Sequence, residues 1–207
     1  EAMREKALAC QTTWQLFDDL GAALVPYIAP IIDVVLPLIE FQHSEEVRAV
    51  SVSIVPKMLI ALCEGSQQCA SEAEASGLAA AATALLSSSF PLLLRAVQQE
   101  DTVDVLGMTI EAIAGSTRAC DEARGAGIAL HFPPQFVTPA AEVLAKVLRG
   151  ALARRAAAVL ERSRRRGSGG SGSGSAGAGA VLAVDEGAAA ALLTMGMNEI
   201  EEAIRVE

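Results

Sequence analysis

Two carboxylates seven residues apart, Asp33 and Glu40, are the side chains of this 207-residue chain best spaced to bind something. Seven residues is about two helical turns, so both fall on one face, opposite much of the apolar stripe Ile28, Ile31, Ile32, Val35 and Ile39. Carboxylates sharing a face can take lysine or arginine from a partner. The same spacing also describes a plain solvated face. Catalysis finds no comparable pattern. His43 falls in a turn and His131 in a loop, and neither belongs to a Ser-His-Asp, Cys-His or metal arrangement. Cys63 and Cys69 have no second pair to complete a zinc site, and Cys10 and Cys63 fall on or beside apolar helical stripes. Reduced thiols at Cys10, Cys63, Cys69 and Cys120 suit cytosol or nucleus. The glycine-rich run 167–177 lacks the Lys and Ser/Thr of a phosphate loop. Asp18-Asp19 and Asp121-Glu122 sit at predicted helix ends, where solvation accounts for them. The residues read as a binding protein, not an enzyme, with no cofactor and no metal.

The two carboxylates ride on a predicted helix of about Pro26 to Phe41, with Pro26 in its tolerated first turn and Pro37 expected to kink it. A polar break, Gln42-His43-Ser44-Glu45-Glu46, separates it from a run in which Val47, Val50, Ile54, Met58 and Ala61 fall one or two turns apart. Ser44 reads as the N-cap of that run, with Glu45 and Glu46 at the positive end of its dipole. Amphipathic helices joined so closely must fold back to hide their stripes.

Before this hairpin, a helix of about Ala2 to Leu20 places Leu8, Thr12, Leu16 and Leu20 on one side, with Cys10, Trp14 and Phe17 beside them. It stops near Gly21, and Trp14 is expected to be packed. After it, the third helix is read as Glu45 to Cys63, with Glu64–Gln68 as a loop. An alanine-rich segment from Ser71 to Gln99 follows, divided or kinked at Pro91. A fifth helix opens with Val103, Leu106, Ile110 and Ile113. Gly125, Gly127, Pro133 and Pro134 mark a loop, and a sixth helix from Phe136 carries Val137, Ala141, Leu144, Leu148 and Leu152.

The hairpin repeats. Met3 to Cys10 lines up with Val47 to Ile54 at an offset of 44 residues; Leu36-Pro37-Leu38-Ile39 returns as Phe90-Pro91-Leu92-Leu93, and the helix starting near Val47 returns near Val103. A period of roughly 40–47 residues with two helices per unit is that of HEAT and armadillo arrays. Glu46-Val47-Arg48-Ala49, with Pro56 later in the same helix, resembles the acidic–Val–Arg pattern and mid-helix proline of a HEAT repeat.

Glu5-Lys6-Ala7-Leu8-Ala9-Cys10, Val25-Pro26-Tyr27, Val35 to Phe41 and Val47-Arg48, taken in order, resemble the later repeats of a karyopherin-β (importin-β) nuclear import receptor. The subgroup is the β3-type importers of ribosomal proteins and histones. The likeness covers residues 4–62 well and 63–150 loosely. It implies an armadillo-like helical array, basic cargo held in a concave groove, and Asp33 and Glu40 facing that groove. It also implies Ran-GTP and nuclear-pore proteins as partners of the full-length receptor. Val47, Arg48 and Pro56 would be structural, with Arg48 tying one hairpin to the next through an acidic partner.

Composition agrees with an all-α chain: apolar content is high, only seven residues are aromatic, and alanine is abundant. Residues 1–140 hold 7 basic and 17 acidic groups, a net of −10, which favours basic protein partners over nucleic acid, although solubility explains acidity equally well. Residues 141–166 hold 8 and 2, a net of +6, and 167–207 hold 1 and 6, a net of −5. The apolar windows 22–39 and 78–97 are interrupted by prolines and by Asp33 or Ser87-Ser88-Ser89, so no membrane span is expected.

The expected architecture is all-α, an α-α superhelix of about three HEAT-like hairpins, near 1–42, 43–100 and 101–166. A Gly/Ser/Ala-rich linker, 167–184, and a C-terminal helix, 185–207, would follow. The expected role is nuclear import of basic cargo, in cytoplasm and nucleus. The alternative is a HEAT interaction scaffold with no transport cycle.

Overall fold

The computed structural model describes residues 2–130 and 132–167, and every regular element among them is helical. The chain divides into two compact units, 1–155 and 156–207. Only the end of one helix is described in the second. The predicted linker beyond Gly167 and the predicted helix 185–207 lie outside the described residues.

Six α-helices follow in order: α1 (Ala2–Leu20), α2 (Ile28–Leu38), α3 (Glu45–Gln68), α4 (Glu72–Gln99), α5 (Val103–Gly125) and α6 (Val137–Gly167). Short 3-10 stretches, Gly21–Tyr27 and Pro134–Phe136, lead into α2 and α6. Local chemistry explains the boundaries. Ser44 accepts a hydrogen bond from the Val47 N–H and Ser71 one from the Glu74 N–H, each satisfying a donor that the first turn leaves unpaired. Gly21, at φ +47°, supplies the left-handed turn that ends α1.

Helix α3 is the centre of the first unit and packs against α1, α2, α4 and α5. It runs parallel to α1: Cys10 faces Ser51, Asp18 faces Lys57, and Gly21 faces Glu64. Pro56 of α3 lies against Gly115 of α5, while α4 packs on both α3 and α5. Val47, Val52, Ile54, Val55, Met58 and Leu59 are completely buried. Each such side chain contributes about 1.5–3 kcal/mol by leaving water.

The repeat is visible in which residues are buried. Ala7, Cys10 and Phe17 of α1 match Ser51, Ile54 and Ala61 of α3 at the offset of 44. Val35 and Ile39 match Ser89 and Leu93 at the offset that pairs the two proline motifs. In α5 the register differs from the sequence expectation. Val105, not the exposed Val103, takes the place of Val47, and Thr109, Ala112, Ser116 and Ala119 follow it inward. Of the expected stripe, Ile113 is buried and Leu106 and Ile110 are half-buried against the core, so only Val103 falls outside the packed side.

Several expected boundaries also move. Glu64–Gln68 continues α3 instead of forming a loop, and within it Gly65 lies so close to Val25 and Leu78 that a Cβ there would be 2.9 and 3.2 Å from them. Helix α4 runs unbroken through Pro91. Helix α2 stops at Leu38, placing Glu40 in the following turn rather than on the helix with Asp33.

On α1 the packed side is Ala7, Cys10 and Phe17, with Trp14 half-buried under the Lys57 ammonium, 5.1 Å from its ring centre. Leu8, Leu16 and Leu20 are instead 61, 42 and 49% exposed. The reason is the 3-10 stretch 21–27. It packs on α1 and α3 and carries α2 across onto α3 and α4, so α2 does not cover the leucine side of α1.

Among the described residues, two helical runs, Ala2–Leu38 and Glu72–Gln99, are long and apolar enough to cross a membrane. The first is broken by the left-handed Gly21 and the 3-10 stretch. The second buries Leu85, Leu86, Phe90 and Leu93 inside the first unit.

Candidate functional site: an inter-hairpin clamp and an acidic cleft

Arg48, in the first turns of α3, collects one end of the unit. Its Nε and Nη2 donate to the two carboxylate oxygens of Glu100 at 2.7 and 3.0 Å, and its Nη1 donates to the Phe41 carbonyl at 3.0 Å. Glu100 ends α4, and its Oε1 also accepts from the Thr102 N–H at 3.0 Å, at the start of α5. One guanidinium thus joins the α2–α3 turn to the α4–α5 turn. The two side chains are 15 and 8% exposed. The hydrogen bond from Arg48 holds the Glu100 carboxyl below its ordinary value, and the same bond raises the Arg48 pKa. Val47 beside Arg48 is fully buried, and Pro56 meets Gly115. All three are packing residues.

Asp33 and Glu40 are not brought together as a pair. Asp33 is exposed on α2, whereas Glu40 reaches α4, its Oε1 3.1 Å from Arg95 Nε. Both partners of that pair remain open to water, so the tie contributes little to stability.

A cleft of about 470 Å³ lies at the far end of α1, where reading the sequence placed only solvated acids. Its walls include Asp18, Asp19, Lys57 and Glu64, over a floor of Phe17 and Ile60. Asp18 and Asp19 occupy the last turn of α1, where the helix dipole already presents negative charge. Lys57 of α3 pairs with Asp18, and Gln15 donates to Asp19 at 3.1 Å. Acids set against the dipole were the sequence signal for this cleft. Glu64 carried none, because it joins only through the parallel packing of α1 on α3.

The core polar groups serve structure. Ser89, Thr109 and Ser116 donate to carbonyls four residues back, at 2.7 to 2.8 Å, so each enters the core already satisfied. Cys10, Cys63 and Cys120 are buried free thiols, and desolvation pushes Cys120 up to about 12. Among the described residues no group of three His, Cys, Asp or Glu side chains is placed to hold a metal ion. Compared with family models, with curated proteins and with solved structures, the chain matches none.

Proposed function

We propose that this chain is a segment of a karyopherin-β-type nuclear transport receptor, built of HEAT-like hairpins, that binds basic proteins for import. The acidic cleft at the end of α1 carries the reading. A lysine or arginine entering it would lay its aliphatic stem on Phe17 and Ile60 and its charge among Asp18, Asp19 and Glu64. The net charge of −10 over residues 1–140 would steer such partners towards it. The parallel stacking of α1 on α3, the packing of α5 on α3 and the position of Glu46-Val47-Arg48 and Pro56 on α3 support HEAT-type packing. The likeness of residues 4–62 to late repeats of ribosomal-protein and histone importers supports the cargo class. On this reading Ran-GTP and pore proteins are partners of the longer receptor, which works in cytoplasm and nucleus, with neither a membrane span nor bound nucleic acid.

The test is a titration of a fluorescent Lys/Arg-rich peptide, followed by anisotropy in rising salt. Asp19→Lys with Glu64→Lys is expected to weaken binding at least tenfold, about 1.4 kcal/mol. Asp33→Lys with Glu40→Lys probes the α2 side in the same way. Equal affinity in all three proteins sinks the reading. A scaffold without a transport cycle is the second reading, favoured by the exposed Leu8, Leu16 and Leu20 of α1. It predicts partners held by apolar contact, whose binding salt does not weaken.

A further inference from the structure

A second hollow, of about 290 Å³, opens beside the acidic cleft at the end of α1. Val25, Pro26 and Leu78 wall it, and Gly65 forms its floor, where a Cβ would crowd Val25 at 2.9 Å and Leu78 at 3.2 Å. Sites that hold a whole small molecule are larger, at about 300–1,000 Å³, so a hollow of this size suits a single apolar side chain. Ala22, Ala23 and Gln68 line both the hollow and the cleft. The two are therefore neighbours along one strip, where the 3-10 stretch 21–27 packs on the C-terminal part of α3. On the cleft side Lys57 already pairs with Asp18, which leaves Asp19 and Glu64 to meet an incoming cation.

We propose that this strip reads a basic residue together with an apolar one, two positions apart in an extended segment of the partner. The inference rests on the reading that the cleft takes lysine or arginine, and it adds the neighbour that such a residue must have. Charge fixes one half: Asp19 and Glu64 complement a cation, while among the described residues no charged side chain lines the hollow. Spacing fixes the other half. The cleft-lining residues of α3 run from Lys57 to Gln68 and the hollow-lining ones from Gly65 to Cys69. At about 1.5 Å of rise per residue, the middles of the two runs lie about 7 Å apart along α3. In an extended chain, alternate residues point the same way and also stand about 7 Å apart. Gln68, on the shared edge, is exposed, and its amide can bond the backbone between the two side chains. A purely basic segment would fill the cleft and leave the hollow empty.

Anisotropy titrations of the full chain test this with two fluorescent peptides in a Gly/Ser background. One carries Leu-Ser-Lys-Ser-Leu, which presents the pair in either chain direction, and the other replaces both leucines by serine. The leucine peptide is expected to bind about fivefold or more tighter, from partial burial of one leucine. At saturation it should also slow thiol labelling of Cys69, which lines the hollow, by about fivefold or more. Asp19→Lys with Glu64→Lys should weaken both peptides. Cys69→Asp, which charges the hollow, should bring the two affinities within about twofold of each other. Equal affinities in the unaltered chain overturn the inference and leave the cleft reading standing. So does tighter binding of the leucine peptide with Cys69 still labelled at full speed, which would seat the leucine elsewhere. Binding of neither peptide, or binding unmoved by Asp19→Lys with Glu64→Lys, removes the cleft reading itself and the inference with it.

Discussion

Arg48 of α3 grips Glu100 at the end of α4 with two parallel hydrogen bonds, 2.7 and 3.0 Å long, across 52 residues of sequence. A planar guanidinium against a carboxylate fixes direction as well as distance, and a third bond to the Phe41 carbonyl fixes the neighbouring turn. The contact converts two separate chain reversals, α2–α3 and α4–α5, into one joint.

Removing either half of that joint strands the other charge in a largely enclosed place. Arg48→Ala and Glu100→Ala are each expected to destabilise the fold by about 2–4 kcal/mol in urea melts. The double variant should cost clearly less than the sum of the two, because the cycle isolates a direct interaction. Additive losses would mean that the pair stabilises only through its separate packing.

The same pair predicts an acid dependence. Because Arg48 lowers the folded pKa of Glu100 below its ordinary value of 4.5, stability from this group is present above that value. It is lost as pH falls through the folded pKa. Glu100→Gln should therefore flatten the drop in urea midpoint between neutral pH and about pH 3. A drop of unchanged size would assign acid sensitivity to other carboxylates.

Two glycines should respond in opposite directions. Gly21 has φ +47°, and a Cβ there would sit 2.7 Å from the mobile tip of Glu64, so Gly21→Ala should cost about 1–2 kcal/mol, mainly from backbone strain. Gly77 lies inside α4 with open space around it, and Gly77→Ala should add about 0.5–1 kcal/mol. Thermal melting of the two variants side by side checks the contrast.

Gly115 reports on how tightly α5 sits on α3. Its Cβ position is 3.1 Å from the Pro56 Cβ, and a proline ring cannot swing aside. Gly115→Leu is expected to destabilise by about 2 kcal/mol or more. A neutral outcome by chemical denaturation would show that the two helices separate easily.

Thiol labelling should sort the cysteines by depth. Cys69, in the short link after α3, is half-exposed and should react with an aromatic disulfide reagent in the native protein. Cys10, Cys63 and Cys120 are buried, and burial also raises the pKa of Cys63 and Cys120. They should react only as fast as the fold opens. Rapid labelling of all four in native buffer would contradict the packing of α1 and α5 on α3.

Much of this architecture was legible from local chemistry. The limits of α1, the Ser44 cap, the turn at Gly21 and the 44-residue repeat depend on residues close in sequence, so capping, glycine conformation and periodicity suffice to read them. The failures share a cause as well. Thr109 and Ser116 look polar in a list of residues but bond to their own helix, so they take fully buried positions on α5 that its aliphatic residues Leu106, Ile110 and Ile113 did not mark. Leu8, Leu16 and Leu20 look like a core stripe, yet whether a stripe is covered depends on where the neighbouring helix lands. Here the 3-10 stretch 21–27 sends α2 elsewhere.

The candidate site divides in the same way. Sequence alone determined that the body is helical, repetitive and acidic, because composition and period are properties of the chain. The resemblance to HEAT-type import receptors, not composition or period, implied that Arg48 is structural and pairs with an acid. Only tertiary structure decided that Glu100 is that partner, that Glu40 is tied to Arg95, and that Glu64 joins Asp18 and Asp19 around one cleft. Those pairings bring together residues 45 to 55 positions apart, and what selects them is the parallel stacking of α1 on α3 and the return of α4 beside both turns. Periodicity sets which side of a helix is apolar; the packing of whole helices decides which charges then meet.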